Sequence, residues 1–160
     1  MEALTFVADL PESMFDELEH VLFFNAHQTD VRTGIVDAIE RYGPPEIVRG
    51  EGRIRVTMPA CPHSQCLFAT VDTPEACGLL GLALYVRDAL DAITVLHVAV
   101  SDDIVADDGA DPLVAVRLVQ KIREVGQCLR GVKWVRLLYP GQGQQRLPVA
   151  RGKPRLSASL

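Results

Sequence analysis

Apolar residues along this chain change their spacing twice. Leu4 to Ala8 is a short apolar run suited to a strand, and Pro11 opens a helix striped by Met14, Phe15, Leu18, Val21 and Leu22. Acidic Glu12, Asp16 and Glu17 stand at the end of that helix where the positive dipole favours them. A second helix is predicted from Thr29 or Asp30, with Val31, Ile35, Ala38, Ile39 and Tyr42 on one face. Gly43, followed by Pro44 and Pro45, stops it.

The period then drops to two. Arg53 to Met58 alternates polar and apolar, as a half-buried strand does, and Leu67 to Val71 is a second strand after the turn-like Cys61 to Ser64. Gly78 to Val86 and Ile93 to Val100 are longer apolar runs joined by the polar segment Arg87 to Ala92. They read as a long antiparallel hairpin in the middle of a sheet, buried on both faces. An acidic, turn-rich loop from Ser101 to Asp111 follows, and Asp111 with Pro112 suits the start of a helix. Ala115, Leu118, Val119, Ile122, Val125 and Leu129 mark its buried face, and it stops near Gly131. Lys133 to Tyr139 is a final apolar strand.

Strand, two helices, a meander of three or four strands, a helix and a strand define an α/β (α+β) class with a mixed sheet flanked by helices. The last strand–helix–strand unit should pair its strands in parallel. Residues 1–140 are expected to form a single domain, and residues 141–160 an irregular basic tail in which Leu147 to Ala150 has the pattern of one short strand. A length of 160 residues with 48% hydrophobic and 23% charged side chains fits one globular core and excludes a disordered or collagen-like chain. No uncharged apolar stretch is long enough to span a bilayer, so no membrane partner is expected. Met1 to Leu4 lacks a signal-like start, and four unevenly spaced cysteines suit reduced thiols; the expected compartment is the cytoplasm.

Charge is split between the two parts of the chain. Residues 1–111 carry 20 acidic and 6 basic side chains, whereas residues 112–160 carry 1 acidic and 10 basic. Arg130, Lys133 and Arg136 near a helix end, and Arg146, Arg151, Lys153 and Arg155 in the tail, read either as a phosphate or nucleic-acid site or as a basic segment pairing with the acidic body. No aromatic residues interleave the tail for base stacking, so nucleic acid is not the expected partner.

This order of elements resembles the GNAT superfamily of acyl-CoA-dependent N-acyltransferases over residues 66 to 139. Cys66 to Asp72 and Gly78 to Val86 are similar to the family's second and third strands, the latter of the form Val/Ile-Gly-x-Ala-x-Leu. Leu96-His97-Val98-Ala99-Val100-Ser101-Asp102 is similar to its fourth strand, Val114 to Gly131 to the following helix, and Trp134 to Tyr139 to the fifth strand. The resemblance implies that strands four and five splay apart around the pantetheine arm of acetyl-CoA. It assigns backbone groups of Val98, Ala99 and Val100 to that arm, and Gly109 and Ala110 at the helix start to the pyrophosphate. It implies a small-molecule or peptide amine as acceptor.

Two departures mark the chain as an atypical member. The family's pyrophosphate loop, Gln/Arg-x-x-Gly-x-Gly/Ala, is replaced by Asp107-Asp108-Gly109-Ala110-Asp111-Pro112, where three carboxylates oppose a diphosphate and Pro112 removes a donor. The helix and two strands that normally follow strand five are not patterned in Pro140 to Leu160, so the chain is a reduced member or a homodimer whose second subunit completes the sheet. The alternative function is therefore a catalytically inactive GNAT-fold module for binding or dimerisation.

His97 falls where such enzymes place a general base, and Tyr139 ends the strand near the leaving thiolate; the plainer readings are a core-edge histidine and a strand-end aromatic. Cys61-Pro62-His63-Ser64-Gln65-Cys66 brings soft ligands close in sequence but lacks a paired Cys-x-x-Cys knuckle. Asp102, Asp103, Asp107, Asp108 and Asp111 do not follow the calcium-loop spacing. No metal is expected.

Overall fold

The computed structural model describes residues 4–23, 41–72, 74, 77–101, 111–138 and 144–149. In chain order these form β1 (Leu4–Val7), β2 (Leu10–Pro11), a 3-10 turn (Glu12–Met14) and α1 (Phe15–Phe23), then β3 (Glu46–Gly50), β4 (Arg53–Thr57) and β5 (Gln65–Asp72). The rest are β6 (Cys77–Ala89), β7 (Ala92–Val100), α2 (Asp111–Cys128), β8 (Trp134–Leu138) and β9 (Gln144–Pro148). Six strands make one mixed sheet in the order β1-β5-β6-β7-β8-β9, in which only β7 and β8 are parallel. The class is α+β with a mixed sheet, as the pattern of the sequence predicts. No described helix is long and apolar enough to cross a membrane.

The two long apolar runs pair as the predicted hairpin at the centre of this sheet. Their alternation feeds two separate cores. Phe68, Leu82, Leu84 and Leu96 join Leu18, Val21 and Leu22 of α1 on the front face. Ala83, Tyr85, Ile93 and Val95 join Leu118 and Ile122 of α2 on the back face. Arg87 locks the hairpin's closed end by donating from Nη2 to the carbonyls of Leu90, at 2.8 Å, and Arg130 just after α2, at 2.9 Å. Gly81 admits no side chain: an added Cβ would lie 2.7 Å from the Ala99 carbonyl oxygen on β7 and within 3.4 Å of both Val114 and Leu118 on α2.

Two elements depart from the sequence reading. Glu46–Gly50 is a strand that the apolar pattern does not announce. It pairs with β4 across the two-residue turn Glu51-Gly52, both at positive φ (55° and 73°), the geometry that tight hairpins favour. With β2 it makes a second, three-stranded sheet in the order β2-β4-β3 whose Leu10, Ile54 and Val56 extend the front core. Arg49 sits 4.1 Å over the Phe15 ring, tying this sheet to the start of α1, and Arg53 Nε donates to Asp9 Oδ1 at 2.9 Å, tying it to the segment between β1 and β2. The segment 141–160, read as irregular, contains β9, which pairs antiparallel with β8. Arg123 of α2 donates to the Pro148 carbonyl from Nε (3.1 Å) and Nη2 (2.8 Å), and buried Val149 packs in the back core, so tertiary contacts order what local pattern leaves open. Apart from Arg41 and Tyr42, the predicted second helix lies outside the described residues.

A carboxylate stitches α1 to the sheet. Glu17 Oε1 accepts the Leu79 N–H at 2.7 Å, beside the point where β6 carries an extra residue, Leu80, against β5. Glu17→Ala is expected to lower unfolding free energy by about 1–3 kcal/mol, because the amide loses its partner. Glu17→Gln, which keeps an acceptor oxygen, should recover most of the loss. Urea midpoints of the two variants decide it, and equal midpoints would show the bond to be incidental.

Candidate functional site

The parallel pair at the centre of the sheet is paired for only part of its length. β7 and β8 are in register from Ala92↔Trp134 to Val95↔Leu137. There β8 has one residue left, Leu138, while β7 continues five residues to Val100. The ladder stops at a bulge: Leu84 of β6 faces His97 but Tyr85 faces Val95, so Leu96 is the extra residue in β7. Such an insertion bends the strand that carries it and interrupts pairing. Past the bulge no described strand lies along the β8-side edge of β7.

Val98, Ala99 and Val100, the candidates for a cofactor arm, all lie on that segment. Their opposite edge is paired to β6 through Ala83↔Val98, Leu82↔Ala99 and Gly81↔Val100. Ala99 packs in the front core, whereas Val98 and Val100 pack in the back one. The close approach of Gly81 to the Ala99 carbonyl fixes this stretch from the β6 side. Gly109, Ala110 and Tyr139, the remaining candidates, lie outside the described residues, as do Asp102, Asp103, Asp107 and Asp108.

His97 occupies the bulge itself. Directly opposite Leu84, it shares the front face rather than the back face that strict alternation from Ile93 and Val95 would give it. Burial lowers its pKa from the ordinary 6.5 to about 4, so the imidazole is neutral at physiological pH. A neutral ring at the mouth of an open strand edge can accept a hydrogen bond from an amine and orient it.

The cysteine–histidine segment forms a self-satisfied turn. Cys61 N–H donates to the Met58 carbonyl (2.8 Å), Ser64 N–H to the Cys61 carbonyl (2.9 Å) and Met58 N–H to Ser64 Oγ (3.1 Å). Cys66 is buried in the front core, and that burial pushes its thiol pKa well up, away from the thiolate that metals and electrophiles need. Among the described residues no three His, Cys, Asp or Glu side chains gather as a metal site does.

Two basic residues that are ten apart in sequence meet across the strands. Arg136 of β8 stands opposite Arg146 of β9 in register. The alternation of Trp134 and Arg136 with buried Val135 and Leu137 already signalled that Arg136 leaves the back core. Its encounter with Arg146 depends on β9, which the sequence reading left as tail. No protein-family model matches the chain, and a search of curated proteins returns no match.

Proposed function

We propose that this chain is a GNAT-type acyltransferase domain. More particularly, we read it as an N-acyltransferase that moves an acetyl group from acetyl-CoA to a small-molecule or peptide amine. The observation that carries this reading is the parallel β7/β8 pair whose ladder ends at the Leu96 bulge while β7 runs on. A strand edge beyond that bulge offers the backbone groups of Val98 to the amides of a pantetheine arm, whereas those of Ala99 face β6. The strand order and the position of α2 after β7 agree with the resemblance drawn from the sequence.

In this reaction the amine nitrogen attacks the thioester carbonyl, a C–N bond forms, the C–S bond breaks and the thiolate takes a proton. His97, held neutral by burial, accepts a hydrogen bond from the amine and orients it, while the ammonium proton leaves to solvent before attack, since a ring of pKa about 4 is too weak a base to take it. Gly109 and Ala110 would receive the pyrophosphate and Tyr139 would protonate the thiolate.

A second reading, a catalytically inactive GNAT-like module for binding or dimerisation, is favoured by one feature. β8 passes to β9 through only residues 139–143 and pairs with it directly. The helix that the family places after its fifth strand, with the usual acid tyrosine, has no room there.

Melting with acetyl-CoA and CoA tests the first reading. Saturation at a hundredfold excess over Kd stabilises by about 2.7 kcal/mol. An amide shift at Val98 should accompany it. Amine-dependent release of free thiol then separates catalysis from binding alone. No stabilisation at millimolar CoA would remove the enzyme reading.

A further inference from the structure

We draw no further inference here: the strongest candidate, the outer edge of β3 in the three-stranded sheet, where Val48 is exposed and β4 is the one neighbour among the described strands, carries nothing because nothing in the structure shows what covers it.

Discussion

Phe68→Ala is expected to lower the unfolding free energy by about 3–5 kcal/mol, a large share of what a domain of this size possesses. Phe68 is wholly inaccessible and is the bulkiest of the fully buried side chains. It lies on β5 between Val7 of β1 and Leu82 of β6, in the layer that α1 covers. Truncation removes its transfer free energy and leaves a cavity that strands held on both sides cannot close. Val48→Ala, on the exposed strand β3, serves as the control and should change stability by no more than about 0.5 kcal/mol. Denaturant unfolding followed by circular dichroism measures both. A loss below about 1 kcal/mol for Phe68→Ala would mean that the front layer is not packed as described.

The second large effect is a pH dependence. His97 has its pKa lowered by burial from 6.5 in the unfolded chain to about 4 in the folded one. The folded state therefore binds fewer protons, and acid favours unfolding. The contribution of the neutral ring is fully present above pH 6.5, erodes as pH falls below that value and levels off near pH 4. Across that window the loss amounts to about 3 kcal/mol. His97→Gln removes the titration, so the difference in stability between wild type and variant should shrink on the acid side by that amount. Subtracting one curve from the other cancels the carboxylates that titrate in the same range. Parallel curves between pH 6.5 and 4 would show that the imidazole is solvated in the folded chain.

The legible parts of this fold are those in which a long apolar pattern and a tertiary layer coincide. β6, β7 and α2 bury most of their length, so their runs and stripes announce them. β3 has only Ile47 and Val48 between charged neighbours, because as an edge strand it buries little; its signal was the turn chemistry of Glu51-Gly52. β9 is written in glutamine and arginine and exists because β8 offers it a ladder and Arg123 holds its last carbonyl. The site was half legible. His97 and Val98 to Val100 were singled out by the resemblance of their strand, but the extra residue at Leu96 beside them has no signature of its own. A bulge is a contest between two strands over register, settled by which side chains the layers above and below accept. That contest put His97 on the front face and left no way to read it from alternation alone.

The division of the interior into two apolar layers with no residue in common has a consequence for motion. Among the described residues β5, β6 and β7 supply buried side chains to both, so a breathing movement that loosens either helix leaves these three strands still clasped from the other side. They would be the last amides in the molecule to trade their hydrogens with solvent, and the open flank of β7 would rest on its most durable scaffold.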